Sequence, residues 1–166
     1  MFSVLIVEDV ADSKNESGKD ALKKYVTLLK SYFNSKNVLC QSVNFNGLQN
    51  EYSLLGKTKE NIIYLPQIEF SDNKVSFVLV DSISSLSPAF KIASIIQKTR
   101  FCNNQNNVLF INKLKDSDPL RHCSPLIVDT IRLNEYPDNL QYEFLVSCAS
   151  SVVYAVCKIF DSKIPK

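Results

Sequence analysis

The stretch FSVLIVED, residues 2–9, decides the fold class of this chain. Its first six residues are a nearly continuous apolar and β-branched run, the pattern of a strand that is buried on both faces. The polar residues 9–18 predict a connecting loop. From Asp20 onward the apolar side chains recur at helical spacing, from Leu22 to Phe33. The chain therefore opens with a strand, a loop and a helix.

Similar apolar runs follow at intervals along the chain. A helix is predicted after Ser87, which is a favourable N-cap in front of Pro88. Asp118-Pro119 predicts a short helix on the same grounds. Residues 142–160 are ambiguous, because their Val, Tyr and Cys content favours a pair of strands while a helix is possible. The further strands are predicted at residues 38–43, 61–65 (ending before Pro66), 75–80, 108–112 and 126–133.

Strands that alternate with helices and are apolar on both faces are typical of an α/β fold with a mostly parallel sheet flanked by helices. The 166 residues suffice for one domain with its own core. No repeat and no linker interrupts the pattern. We predict a single domain at residues 1–161 and a flexible tail at 162–166.

The composition excludes several classes of protein. No run of about 18 apolar residues is present, so a membrane-spanning helix and a membrane partner are not expected. The net charge of +2 is too small to indicate a nucleic-acid-binding protein. Five cysteines without a C-x-x-C pair predict reduced thiols rather than disulfides or a zinc ribbon. We expect no metal, no cofactor, and a cytoplasmic or also nuclear location.

The loop after the first strand is in the position of a phosphate-binding P-loop. Residues 13–20 read SKNESGKD, so the Gly18-Lys19 pair is present, but Ser13 replaces the first glycine and Asp20 replaces the magnesium-binding hydroxyl. Five acids and two lysines give residues 8–20 a charge of −3, which repels a phosphate. The loop is either a degenerate P-loop or a plain acidic connection, and both interpretations predict weak or no nucleotide binding.

A second candidate position is Asp81, which ends the apolar run FVLVD at residues 77–81. An Asp at the carboxyl end of a buried strand faces the magnesium ion in P-loop proteins. A structural role at the end of the strand explains it equally. Together with Gly18, Lys19 and Asp20, Asp81 forms the predicted vestigial nucleotide site.

Basic residues cluster at Lys113, Lys115 and Arg121, after the strand predicted at 108–112. They could touch an RNA backbone, or simply form a solvated loop. A different alternative starts from the acidic pair Glu8-Asp9, which resembles the site of phosphoacceptor receiver domains. The hydroxyl residue and lysine expected later in such a domain are not found in the required order.

The order of these features resembles the fifth subunit of the Elongator complex, a RecA-like family without an intact Walker loop. The segments that carry the resemblance are SGKDALKKY (17–25), VLVDSISSL (78–86), VLFIN (108–112), 127–133 and 152–158. The sixth Elongator subunit is also RecA-like and poor in Walker motifs, so it stays an alternative to the fifth.

The resemblance implies a RecA-like fold with a degenerate P-loop, and a non-catalytic pseudo-ATPase rather than an enzyme. It implies a hetero-hexameric ring with the fourth and sixth Elongator subunits, bound to the rest of that complex. The ring would bind tRNA and support the modification of wobble uridines. The alternatives from the residues alone are a small P-loop phosphotransferase or NTPase, and a receiver domain.

Overall fold

A computed structural model describes eight parts of the chain, which contain six strands and three helices. They are residues 3–8, 16–44, 61–70, 76–80, 87–100, 107–111, 126–133 and 138–161. The strands are β1 (Ser3–Glu8), β2 (Leu39–Asn44), β3 (Asn61–Glu69), β4 (Ser76–Val80), β5 (Asn107–Ile111) and β6 (Leu126–Arg132). The helices are α1 (Glu16–Ser35), α2 (Pro88–Arg100) and α3 (Asp138–Asp161).

The six strands form one sheet in the order β2-β1-β3-β6-β4-β5. Strands β2, β1, β3 and β6 are parallel to their neighbours in this series, and β4 is parallel to β5. Strand β4 pairs with β6 in the antiparallel direction. The α/β class and the mostly parallel sheet predicted from the apolar runs are therefore confirmed.

Because one pairing is antiparallel, the strands of this sheet end at two different edges. We call the edge where β1, β2, β3 and β6 end the carboxyl edge, and the edge where they begin the amino edge. Strand β4 ends at Val80, which pairs with Ile127 near the start of β6. Strand β4 therefore leads toward the amino edge, whereas β1 leads toward the carboxyl edge.

The three described helices share one hydrophobic core with one face of the sheet. Val4 and Ile6 belong to this core, together with Leu29 of α1, Ile92 of α2 and Val152 of α3. Helix α3 contacts both α1 and α2 and so lies between them. The intervening residues of β1 are also buried. Because adjacent side chains of a strand point to opposite faces, β1 is buried on both faces, as its sequence predicts.

Three local predictions need correction. Helix α1 begins at Glu16 rather than at Asp20, and β3 continues through Pro66 to Glu69. Pro66 lies beyond the ladder with β1, which ends at Tyr64, and is opposite Asp129 in the ladder with β6. The strand pair favoured for residues 142–160 is wrong, since this segment lies inside α3.

Helix α3 forms because its buried residues recur with helical spacing. Leu145, Cys148, Ala149, Val152 and Val156 are all at most 2% exposed, and their positions i, i+3, i+4, i+7 and i+11 lie on one face of a helix. Their packing against the core outweighs the strand propensity of Val and Cys. Within the described residues, only Asn139–Phe160 is long and apolar enough to cross a bilayer, a property that buried core helices share.

Helix ends are set by residues that the sequence makes recognisable. The Ser87 Oγ accepts a hydrogen bond from the Phe90 N–H at 3.1 Å, which confirms the predicted N-cap of α2. After α1, Asn37 adopts a left-handed φ of 58°, a conformation that Asn tolerates well. The Val38 N–H then donates to the Phe33 carbonyl at 3.0 Å, and the chain turns into β2.

Replacement of the N-cap should destabilise the protein measurably. We expect Ser87→Ala to lower the free energy of unfolding by about 1 kcal/mol, because the Phe90 N–H loses its acceptor. Urea denaturation followed by circular dichroism measures the change. The matched control is Ser94→Ala inside α2, which should change stability little. Equal losses for both variants would contradict the assignment of Ser87 as the cap.

Candidate functional site

A charged network lies at the centre of the interface between the sheet and the helices. Asp129 is in the middle of β6 and is fully buried, as is the side chain of Arg100 at the end of α2. The Arg100 Nη1 donates to the Asp129 Oδ1 at 2.7 Å. A buried carboxylate needs such a partner, because removal from water without compensation is costly. The pair therefore joins α2 to the central strand of the sheet.

Two tyrosines extend this network to α1 and β3. The Tyr64 hydroxyl donates a short hydrogen bond to the second carboxylate oxygen, Asp129 Oδ2. The Tyr25 hydroxyl is 2.8 Å from the Tyr64 hydroxyl. Both rings are buried, with exposed fractions of 0% and 1%. Since the Tyr64 proton is directed at Asp129, its oxygen accepts the hydrogen bond that Tyr25 donates.

Helix α3 joins the network through its backbone. The Arg100 Nη2 donates to the Cys148 carbonyl at 3.3 Å. The network therefore links all three described helices to β3 and β6. We call Tyr25, Tyr64, Arg100 and Asp129 the core network.

The buried surroundings shift the pKa values of Arg100, Tyr25 and Tyr64. Burial alone would lower the pKa of Arg100, but Asp129 and the neighbouring acceptors raise it well above its usual value, so the guanidinium stays charged. Burial raises the pKa values of Tyr25 and Tyr64 well above the usual range, with Asp129 adding to both increases. Burial also raises the pKa of the Cys148 thiol to about 12. These groups are closed to solvent, and their hydrogen bonds connect the helices to the sheet.

Polar side chains that are open to solvent lie at the carboxyl edge. Glu8 ends β1 and is half-buried. Glu69 ends β3 and forms an ion pair with Arg132, the last residue of β6. The Glu69 side chain is 42% exposed and that of Arg132 9% exposed. This edge therefore presents two carboxylates to solvent, one of which is held by a guanidinium.

The predicted positions Gly18, Lys19 and Asp20 lie in the first turns of α1 and not in a loop. Gly18 is buried, Lys19 is half-buried and Asp20 is exposed. The Asp20 carboxylate is 3.0 Å from the Lys24 Nζ, a surface pair within the helix. The vestigial role assigned to these three residues stays a prediction.

The other predicted site residues lie outside the described residues. These are Asp81, Lys113, Lys115 and Arg121, so their roles also stay predictions. The strand that precedes Asp81 leads toward the amino edge, while α1 follows the carboxyl end of β1. Strands β1 and β4 therefore end at opposite edges of the sheet.

The core network was not predicted from the sequence, although the sequence contains one signal for it. Asp129 interrupts the apolar run LIVDTIRL at residues 126–133. A carboxylate in the middle of a buried strand is rare unless it is paired, so this Asp alone predicts a buried cation nearby. With three arginines in the chain, Arg100 was one of few candidates. Among the described residues, no group of three His, Cys, Asp or Glu side chains is placed to hold a metal ion.

The fold is similar to that of cell-wall amidases. The CwlD amidase of Clostridioides difficile, solved in complex with the GerS lipoprotein, matches with a TM-score of 0.67 at 11% identity, over 98% of this chain and 100% of that one. The N-acetylmuramoyl-L-alanine amidase AmiC2 of Nostoc punctiforme matches with a TM-score of 0.63 at 16% identity, over 96% and 97%. A third amidase of this type, from Clostridium difficile 630, has a TM-score of 0.64 at 15% identity, over 98% of both chains. No protein-family model and no curated protein matches the chain.

These similarities correct the interpretation drawn from sequence. The resemblance to the fifth or sixth Elongator subunit is wrong, because the structural neighbours are amidases. The expected role in tRNA modification, the partners in a hetero-hexameric ring and the tRNA ligand are wrong with it. The phosphotransferase and receiver alternatives are also wrong. The prediction of a non-catalytic pseudo-ATPase is contradicted, since the neighbours are enzymes. The motifs misled because each was short and unspecific, and only their order carried the resemblance.

Removal of both charges from the core network should cost less stability than the sum of the two single removals. We expect Arg100→Met to lower the free energy of unfolding by about 3–5 kcal/mol, because it leaves the Asp129 carboxylate buried without its cation. The double variant Arg100→Met/Asp129→Asn should lose less than the sum of the two single losses. Denaturant titration of the four proteins in this cycle measures the coupling energy.

The surface pair Asp20–Lys24 is the matched control for this cycle. Its side chains are 67% and 57% exposed, so its coupling energy should be at most about 0.5 kcal/mol. A coupling energy for Arg100 and Asp129 as small as that of the surface pair would contradict the core network.

Alkaline pH should destabilise the folded state. Burial raises the pKa of Cys148 from 9.0 to about 12 and that of Cys40 to about 11. Between these limits the unfolded chain releases thiol protons that the folded chain retains. The contribution of these two thiols to the free energy of unfolding is therefore fully present below about pH 9. It decreases as the pH rises toward 12.

The expected slope can be tested with one substitution. In Cys148→Ala, the loss of unfolding free energy per pH unit between pH 9 and 11 should be shallower by about 1.4 kcal/mol, the value for one proton. Denaturant titrations at several pH values measure the slope. A Cys148→Ala variant with the same slope as the parent would show that this thiol titrates normally in the folded state.

Proposed function

We propose that this chain is an amide hydrolase whose fold is that of N-acetylmuramoyl-L-alanine amidases. The observation that carries the proposal is the similarity to three such amidases along almost the full length of both partners. The substrate class would then be peptidoglycan, in which an amide joins a muramoyl carboxyl group to L-alanine. The reaction would add water across this bond and release the amino group of alanine.

The carboxyl edge is the part of the fold that suits such a reaction. Loops at the carboxyl ends of parallel strands form the binding crevice in open α/β sheets. Glu8, Glu69 and Arg132 lie at this edge among the described residues.

Amide hydrolysis requires a base that removes a proton from water and an acid that protonates the leaving nitrogen. Glu8 is the better candidate for this role, because Glu69 already forms an ion pair with Arg132. Half-burial of Glu8 keeps its carboxylate close to the sheet and still open to a substrate. The chain contains a single histidine, His122, so carboxylates have to supply most of the acid–base chemistry.

The RecA-like interpretation of the α/β fold has less support than the amidase-like one. A RecA-like site with a degenerate P-loop needs residues 13–20 and Asp81 at one edge of the sheet. Strand β4, which precedes Asp81, runs antiparallel to β6 and leads toward the opposite edge. The single-domain bounds 1–161, the tail 162–166 and the cytoplasmic or nuclear location stay predictions.

The proposed activity can be measured on purified peptidoglycan. We expect the protein to release new α-amino groups of L-alanine, which are quantified after reaction with fluorodinitrobenzene. Glu8→Gln should lower the rate by about 10²–10⁴-fold, the usual contribution of a general acid or base. Glu143→Gln, on the exposed side of α3, is the matched control and should leave the rate unchanged.

Two results would contradict the proposal. One is a parent protein that releases no alanine amino groups under conditions in which a known amidase does. The other is a Glu8→Gln variant as active as the parent, which would place the catalytic base elsewhere.

A further inference from the structure

A groove between α1 and α3 is separate from both the core network and the carboxyl edge. It has a volume of about 620 Å³. We call it the Tyr/Lys groove after its main lining residues, which are Tyr32, Lys36, Val153, Tyr154 and Lys158.

The Tyr/Lys groove lies on the amino-edge side of the helix layer. Tyr32 is in the last turn of α1, and Lys36 follows that helix. The chain then enters β2 at Leu39, which pairs with Ser3 at the start of β1. A ligand in this groove would therefore not occupy the carboxyl edge, where we propose the hydrolytic site.

The charged side chains that line the groove all have the same sign. They are Lys36 and Lys158, and no carboxylate is among the described lining residues. Each lysine also lies near the C-terminal end of a helix, where it offsets the negative end of the helix dipole. An interaction with the helix dipole does not require the lysine to line a cavity. Here the ammonium groups of both lysines line the same groove. The charge of the groove is complementary to an anion.

The aromatic side chains of the groove offer an apolar surface beside these charges. Tyr154 has a large aromatic ring and is 51% exposed. The Lys158 Nζ is 3.3 Å from the Tyr154 hydroxyl and 5.5 Å from the centre of the ring. Val153 is buried, and Tyr32 packs against the core from the other side. The groove thus combines an aromatic wall with positive charge.

We propose that the Tyr/Lys groove binds an organic anion with a flat aromatic body. The aromatic part would pack on Tyr154 and Tyr32, and its carboxylate, phosphate or sulfonate would lie between Lys36 and Lys158. Pockets for small organic ligands usually measure about 300–1,000 Å³, a range that includes this groove. The proposal does not depend on the hydrolytic activity, because the two sites are at opposite edges of the sheet.

Two probes with nearly the same aromatic body test the charge requirement. They are 8-anilinonaphthalene-1-sulfonate, which is an anion, and N-phenyl-1-naphthylamine, which lacks the sulfonate. We expect the folded protein to bind the anion saturably, with one molecule per chain by fluorescence titration. The double variant Lys36→Gln/Lys158→Gln should weaken binding of the anion about tenfold and change binding of the neutral probe less than twofold.

A second pair of lysines provides the matched control. Lys23 on α1 and Lys91 on α2 are exposed and do not line the groove. Lys23→Gln/Lys91→Gln removes the same net charge and should leave both affinities unchanged. Tyr154→Ala should weaken the binding of both probes, because both lose the same aromatic contact.

Three outcomes would overturn the proposal. The parent protein binds no sulfonate saturably, or the Lys36/Lys158 variant binds it as tightly as the parent, or the two lysine pairs have equal effects. Thermal unfolding verifies that each variant is folded. If the double variant does not fold, Lys36→Gln alone decides, because Lys36 is exposed in the turn after α1. This variant should weaken binding of the anion about threefold, and an unchanged affinity would refute the site.

Discussion

The antiparallel pairing of β4 with β6 is the constraint on which the arrangement of this molecule depends. Four strands run in one direction, and β4 and β5 run in the other. The ends of the described strands are therefore divided between two edges of the sheet. Glu8 and Glu69 end strands at the carboxyl edge, while β4 leads toward the amino edge. Strand β4 thus leads away from the edge at which Glu8 and Glu69 lie.

The core network fixes the helices over this mixed sheet. Arg100 and Tyr64 neutralise and hydrogen-bond the buried carboxylate of Asp129, which lies on the strand that joins the two directions. Buried ion pairs contribute little net stability relative to apolar residues, but loss of one partner is severe. The network therefore specifies which helix lies over which strand. The charged side chains Glu8 and Glu69 lie at the edge of this sheet, outside the core.

The sequence predicted the class of fold well and the function poorly, for physical reasons. Apolar runs such as residues 2–7 report burial on both faces, and burial on both faces indicates a mostly parallel sheet. The Ser87-Pro88 cap is a local interaction, so it could be recognised without a structure. The direction of a strand depends on residues that are distant in sequence. Residues 76–80 alone do not indicate whether β4 pairs with β6 in the parallel or the antiparallel direction. Helix α3 was ambiguous because its Val and Cys residues favour strands in isolation, whereas packing of Cys148 and Val152 against the core favours a helix. Asp129 of the core network is separated in sequence from Arg100 by 29 residues and from Tyr64 by 65. The only signal of the network in the sequence was the buried position of Asp129 in an apolar run.

The direction of β4 can be measured most directly by nuclear Overhauser spectroscopy on the isotopically labelled protein. In an antiparallel pair, facing α-carbons approach to about 4.5 Å at the non-hydrogen-bonded positions, which brings their hydrogens into close contact. The structure predicts strong Hα–Hα effects at alternate positions of the register from Phe77↔Thr130 to Val80↔Ile127. The absence of these effects, with a parallel pattern between β4 and β6 instead, would contradict the mixed sheet and with it the separation of the two edges.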